Sequence, residues 1–350
     1  MGRVAGMADP TIAAAFPKAL LVYAVSRGAD RQALLDRSGL ASQDLALPEA
    51  RVPLARYLQL FAAAIAECND PALALRFGEA VRLQDISIVG LICEVAETTA
   101  EVGRQLNRYA RLVVDESGPA EMIGAKADQH GLWMEVVSQA YSTSPFLIEA
   151  ELARLVCNTR ATFASTPEFQ TMRFPRAAHF THPEPPYAAE YRRIFQAPLV
   201  FGSDRNALLL DPAFALLKQP PSDRFAFGVL SERADALLKD LLASQTVRAK
   251  VESRLLPMLH TGDANMAVVA ARMGLSRRTL QRRLKAEGVT FDEVHDGLRR
   301  KLALHYLAGK KVSANETAYL VGFSEPASFS RAFKRWTGVS PGVFHLRERA

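Results

Sequence analysis

Residues 316–341 read ETAYLVGFSEPASFSRAFKRWTGVSP, and this stretch repeats a pattern already present at residues 268–290, VVAARMGLSRRTLQRRLKAEGVT. In the later copy Ala318 lies four residues before Gly322, which is followed by Phe323 and Ser324, with Phe329, Phe333 and Lys334 beyond. In the earlier copy Ala270 precedes Gly274 by the same interval, then come Leu275 and Ser276, with Leu280, Leu284 and Lys285 beyond. The offset is 48 residues as far as the serine and 49 for the three positions after it, so the second copy carries one extra residue in its turn. The exits also match, Gly288-Val289-Thr290 against Gly338-Val339-Ser340.

Each recurring residue has a steric reason in a helix-turn-helix. Two helices crossing steeply need a small residue where they touch, which Ala270 and Ala318 supply. Gly274 and Gly322 permit the left-handed backbone that ends the first helix, and Leu275 and Phe323 plug the turn. Ser276 and Ser324 are placed to cap the second helix, whose buried face is Leu280 and Leu284, or Phe329 and Phe333. The exposed remainder of the first such helix is Arg277, Arg278, Gln281, Arg282, Arg283 and Lys285. Between the copies, residues 291–307 read as one helix with Val294, Leu298, Leu302 and His305 or Tyr306 on a common face, roughly 25 Å long. With the flanking packing that length suits two helices entering successive major grooves. A single such helix pair also occurs in proteins that never touch DNA; two copies with this spacer point to a DNA reader.

Charge agrees. From residue 248 onward there are 19 Lys and Arg against 9 Asp and Glu, a net of +10, while residues 1–247 carry a net of −4. A basic terminal domain behind an acidic one is the footprint of a phosphate-backbone binder.

The segment 316–341 resembles the signature of the AraC/XylS transcription regulators, and residues 247–345 match that DNA-binding domain throughout. The resemblance implies a bilobed, all-helical domain reading two neighbouring major-groove segments. It places Arg278, Gln281 and Arg282 of the first recognition helix, and Ala327, Ser330 and Arg331 of the second, at the family's base-contacting positions. Pro326 and Ala327 stand where family members can carry longer polar side chains, so base reading by the second helix rests chiefly on Arg331. Arg277, Arg283, Lys285, Lys334 and Arg335 are available for phosphate.

The front half mixes periods. Helical spacing is expected at residues 19–25, 54–65, 73–81 and 145–163, and Thr98-x-x-Glu101 reads as a capping box opening a helix through Arg111. Strand-like alternation is expected at 120–125 and 132–137 around a polar loop, with short apolar runs at 171–174 and 199–201. The expected architecture is an α+β domain over residues 11–224, after a flexible tail at 1–10, then a linker helix region at 225–246 behind the turn-rich KQPPSDR, and an all-α domain with two helix-turn-helix units over 247–350. Residues 12–201 are similar to the arabinose-binding-type N-terminal domain of one branch of these regulators, best at residues 89–114; this implies effector binding and dimerisation without making arabinose the ligand.

Other chemistry finds little support. His179 and His182 form H-x-x-H without an evident third ligand, so packing histidines are expected and no metal. No dinucleotide fingerprint, P-loop or G-x-S-x-G occurs, so no cofactor is implied. Tyr109, Trp133, Phe146, Phe163 and Phe174 are expected as core, with a pocket lining as the alternative. Cys68, Cys93 and Cys157 stand apart as buried thiols, which suits a reducing cytoplasm and not the reactive cysteine of an enzyme, such as a DNA-repair alkyl transferase, fused to the same DNA-binding domain. The apolar run at 12–25, broken by Pro17 and Lys18, is too short for a membrane span. The expectation is therefore a cytoplasmic regulator of promoter DNA responding to an unidentified small molecule. Activation, contact with RNA polymerase and a homodimer are implied by the resemblance alone. A repressor, or an architectural DNA-binding protein without a ligand, is the alternative.

Overall fold

The computed structural model describes residues 9–116, 121–142, 144–220, 223–244, 246–261, 264–308 and 312–347. Residues 1–8 of the expected tail, Ala120 of the first expected strand, and residues 221 and 222 of the expected boundary lie outside the described residues. The chain divides into two compact units between Leu238 and Lys239, within the helix Arg224–Ser244.

The front unit carries two sheets among helices. In the smaller, β1 (Thr11–Ala13) lies between β2 (Arg51–Pro53) and β3 (Val114–Asp115), antiparallel to both. The larger has the order β4-β5-β8-β6-β7, made of Ile123–Asp128, Gly131–Val136, Ala207–Leu210, Ala177–His179 and Leu199–Val200. Only the β6–β7 pair is parallel. The β4–β5 hairpin turns at Asp128, whose carboxylate accepts from the His130 amide at 2.7 Å and from the Trp133 indole N–H at 2.8 Å, before Gly131 at φ +145°.

The expected helices form as Ala15–Ser26, Leu54–Glu67, Leu73–Ala80 and Pro145–Thr162. Their apolar faces build one core, with Leu20, Leu60, Phe61, Phe77, Leu152 and Val156 buried. The last two helices approach so closely that a Cβ on Gly78 would lie 2.2 Å from the Ala150 carbonyl oxygen. Tyr109, Phe163 and Phe174 are buried in that core and Phe146 is half-buried against it, whereas Trp133 is buried outside it, edge-on to His179 and beneath the Arg205 guanidinium, because alternation along β5 turns Leu132 and Met134 to the core instead.

Three expectations change here. Thr98 does cap the helix Thr99–Arg108, accepting from the Glu101 amide at 3.2 Å. The Glu101 carboxylate does not complete a capping box; it accepts from Arg104 Nε at 3.0 Å and from the Gln105 amide, because a charge-assisted bond outcompetes a neutral backbone donor. The expected helix through Arg111 is broken once, at Tyr109: Thr99–Arg108 is followed by a separate helical turn, Ala110–Val113. Asn107 turns its side chain to the Met122 and Ile123 amides and the Ile123 carbonyl, while the Tyr109 hydroxyl donates to Asp235, so tertiary partners flank the break. The run 171–174 forms no strand: Pro175 follows it without an N–H for a ladder, and pairing begins at Ala177.

The second unit is helical throughout its described residues, from Val247–Leu255 to Pro341–Arg347. Leu280, Leu284, Val294, Leu298, Phe329 and Phe333 belong to one continuous cluster, so both helix-turn-helix units share a core. The helix between them, Phe291–Ala308, buries Phe291, Val294, Leu298, Ala303 and Leu307. Leu302 and Tyr306 are half-buried and His305 is exposed, so the buried face drifts from the expected one; 3.6 residues per turn carries the contact to 303 and 307.

Candidate nucleic-acid interface

The first helix-turn-helix begins with Asn265, whose side chain accepts from the Ala267 and Val268 amides and starts the helix Met266–Arg272. Ala270 is 1% exposed at the crossing, and its carbonyl accepts from the Leu275 amide at 2.9 Å across the turn. Gly274, at φ +65°, makes that turn possible. Ser276 then caps the recognition helix Arg277–Ala286, accepting from the Thr279 amide at 3.1 Å, with Leu280 and Leu284 buried.

The second unit follows the same plan with tighter surroundings. Its supporting helix Ala314–Leu320 opens with a complete capping box between Ser313 and Glu316, and Ala318 is buried. Gly322, at φ +80°, is hemmed in: a Cβ there would lie 2.1 Å from the Leu259 carbonyl oxygen. The recognition helix Pro326–Thr337 buries Phe329, Ala332 and Phe333. Its N-cap is Glu325, without a side-chain cap bond, so Ser324 does not cap it as expected. The extra residue in this turn shifts the cap by one position, and Pro326 at the first helical position has no N–H to satisfy.

The two recognition helices present equivalent faces. Arg278, Gln281, Arg282 and Lys285 fall at i, i+3, i+4 and i+7, and Ala327, Ser330, Arg331 and Lys334 occupy the matching positions; all eight are exposed. Arg277 is also exposed and Arg283 is half-buried. Among the described residues none of Arg277, Arg278, Arg282, Arg283, Lys285, Arg331 and Lys334 forms an ion pair with the protein. Arg331 donates only to the Ser328 hydroxyl, at 3.1 Å. Arg335 differs, being held 2.9 Å from Asp296 of the linker helix.

The sequence reading missed the groups that fix these helices. Arg299, in the linker helix, donates through Nε to the Val321 carbonyl at 3.1 Å and through Nη2 to the Gly322 carbonyl at 3.0 Å, while its guanidinium lies 4.6 Å from the Phe323 ring centre. Asp296 accepts from Arg335 and from the Trp336 indole. Glu287 accepts from the Val247 and Arg248 amides at 2.6 and 3.0 Å, tying the exit of the first recognition helix to the helix Val247–Leu255. Burial beside Arg299 lowers the His295 pKa to about 4. Within the charge run Arg299-Arg300-Lys301 nothing in the sequence distinguishes the residue that turns inward.

The front-unit histidines are engaged locally. His179 Nδ1 is 3.0 Å from the Ser203 hydroxyl and its ring meets Trp133 edge-on, whereas His182 contacts the Pro183 carbonyl and the Tyr191 hydroxyl. Among the described residues no helix is long and apolar enough to cross a membrane.

Comparison with known proteins bears on both units. Residues 28–219 match the family described as the arabinose-binding domain of AraC transcription regulators, N-terminal, and residues 269–347 match a helix-turn-helix domain family. The chain is 26% identical over 343 residues to an ornithine utilization regulator of Pseudomonas aeruginosa, covering 94% of this chain and 95% of that protein. It is 24% identical over 301 residues to the HTH-type transcriptional regulator VirS of Mycobacterium tuberculosis, covering 84% of each. Among solved structures, the transcriptional regulator CdpR of Pseudomonas aeruginosa aligns with 20% identity and a TM-score of 0.36 over 94% of this chain and 97% of that one. With the first family match spanning more than half of the sequence and a helix-turn-helix match behind it, the chain belongs to the AraC family of DNA-binding transcription regulators.

Proposed function

We propose that this regulator reads paired half-sites of promoter DNA, with Arg278, Gln281 and Arg282 reading bases in one major-groove segment and Arg331, assisted by Ser330 and Ala327, in the next. The observation that supports this is the equivalence of the two outward faces, at the same helical positions and with no ion pair to their cations among the described residues. Arginine at such positions takes guanine bidentately and glutamine takes adenine, whereas Ala327 offers only apolar contact to a thymine methyl. Specificity therefore leans on the first unit. Arg277, Arg283, Lys285 and Lys334 serve phosphate, and Arg335 reaches it only from its ion pair with Asp296. The linker helix, at 18 residues, is about 27 Å long, which suits neighbouring groove segments on one face of the duplex.

In this reading the front unit binds a small effector, the regulator acts as a homodimeric activator in the cytoplasm, and it contacts RNA polymerase. A non-enzymatic role fits the cysteines: burial pushes the Cys93 thiol up to about 12 and also raises those of Cys68 and Cys157, away from nucleophilic thiolate. The test is titration of the protein against genomic fragments at two salt concentrations. Fragments sharing paired motifs one helical turn apart, held ~10³-fold or more above scrambled DNA, are the expected result. Arg282→Ala or Arg331→Ala is expected to cost ~1–3 kcal/mol on the recovered site and little on scrambled DNA. Uniform binding that vanishes with salt would refute base reading and favour an architectural clamp.

A further inference from the structure

Within the front unit a cavity of about 130 Å³ opens between the helices Thr99–Arg108 and Pro145–Thr162. Its walls are largely apolar, with Leu106, Ile123, Met134, Leu155, Phe163 and Phe214 among them. Gly103 also lines it, in mid-helix, where glycine is destabilising relative to alanine. Packing does not require that glycine: a Cβ built on it would have nothing within 4 Å, whereas one on Gly90, lining the same cavity, would lie 2.2 Å from the Leu83 backbone. Gly103 lies with Thr99, Val102 and Leu106 on the helix face that lines the cavity, so the open space beside it borders the cavity.

The polar groups on the wall ask for a donor. Gln219 Oε1 is buried without a hydrogen-bond partner among the described residues. Glu151 and Arg154, with side chains 13% and 4% exposed, pair at 2.8 Å through Glu151 Oε2, and Glu151 Oε1 takes no hydrogen bond among the described residues. With Glu94 the wall holds two carboxylates against one guanidinium, so a ligand carboxylate meets net negative charge. A buried acceptor without a partner is costly, and a ligand N–H or O–H would relieve it. An apolar cavity of about 150 Å³ accommodates benzene, which sets the scale at on the order of six to nine heavy atoms.

We propose that this cavity is the effector site, and that it takes a compact apolar molecule of that size bearing one hydrogen-bond-donating amine or hydroxyl and no carboxylate. The assignment rests on the reading of the front unit as a small-molecule sensor. The test uses the full chain and four matched probes, benzyl alcohol, benzylamine, toluene and benzoate, with calorimetric titration for binding and promoter-fragment affinity as a separate readout. Benzyl alcohol or benzylamine should bind at least tenfold tighter than toluene and benzoate. Gly103→Leu, which fills the space, should abolish that binding while circular dichroism shows an intact fold, and Glu151→Gln should weaken it with the same fold retained. No binding by any probe, preference for benzoate, or unchanged binding to Gly103→Leu would each overturn the site. Binding that behaves as expected while DNA affinity and promoter output stay unchanged would leave the site standing and overturn the sensor reading instead.

Discussion

Gly274 and Gly322 occupy the same motif position with similar left-handed backbones, φ +65° and +80°, yet their surroundings differ, and that difference sets a quantitative expectation. Alanine at either position incurs the left-handed penalty of roughly 1–2 kcal/mol, partly offset by about 0.4–1 kcal/mol through the less flexible unfolded chain. Gly274→Ala meets nothing within 4 Å and should cost about 1 kcal/mol in total. Gly322→Ala places its methyl 2.1 Å from the Leu259 carbonyl oxygen, so the segment Leu256–Thr261, which anchors the buried Met258 and Leu259, must move by about 1 Å. Overpacking of that kind adds roughly 1–3 kcal/mol, giving about 2–4 kcal/mol. The chain has two tryptophans, Trp133 in the front unit and Trp336 in the second recognition helix, so a Trp133→Phe background leaves Trp336 to report on the second unit. With a urea slope of about 1.5 kcal/mol/M, the midpoint should fall by about 0.7 M for Gly274→Ala and by about 2 M for Gly322→Ala. Equal shifts, or a larger one for Gly274→Ala, would refute the claim that close approach to Leu259 is what excludes a side chain at residue 322.

The same reporter tests the caps: Ser276→Ala should cost about 1 kcal/mol and Ser324→Ala under about 0.5 kcal/mol, because only the first accepts from its helix's amides. Arg299→Lys should lose about 2 kcal/mol in urea unfolding, since an ammonium cannot span the Val321 and Gly322 carbonyls while stacking on Phe323. One buried group in each unit should contribute to stability with opposite pH dependence. Burial raises the Glu149 pKa to about 7 despite hydrogen bonds from Tyr187 and Tyr191, so the front unit binds that proton more tightly folded than unfolded. The contribution of Glu149 to stability should be fully present below pH 4.5 and decline by about 3 kcal/mol as pH rises to about 7, read as the difference between Trp133-monitored melting of the parent and of Glu149→Gln. His295, lowered to about 4, should give the second unit stability that is fully present above pH 6.5 and is lost as pH falls toward 4; Trp336-monitored melting with and without His295→Asn measures it.

Local patterns were legible where neighbouring residues supply the whole interaction. The alanine-glycine repeat, the Ser276 cap and the i, i+4 buried pairs follow from backbone sterics within one turn, so the recurrence alone placed both helix-turn-helix units and their exposed faces. The repeat also showed the extra residue in the second turn, but its consequence, the cap moving from Ser324 to Glu325, emerged only with the backbone in place. The S/T-x-x-E pattern illustrates the limit. Immediately before a helix it occurs at Thr98, Thr290 and Ser313, and it closes into reciprocal bonds at the last two, whereas at the first Arg104 and Gln105 take the glutamate. In the front unit the helices could be read from their apolar period, but the break at Tyr109 lies where Asn107 and Tyr109 find partners at Met122 and Asp235, which the period does not show. What the sequence determined by itself is thus what lies within a helical turn: the repeat, the recognition faces and the charge they carry. Tertiary structure alone decided which arginine of a charge run turns inward as Arg299, why Gly322 tolerates no side chain, and that open space lies beside Gly103, because each depends on atoms brought together from distant parts of the chain.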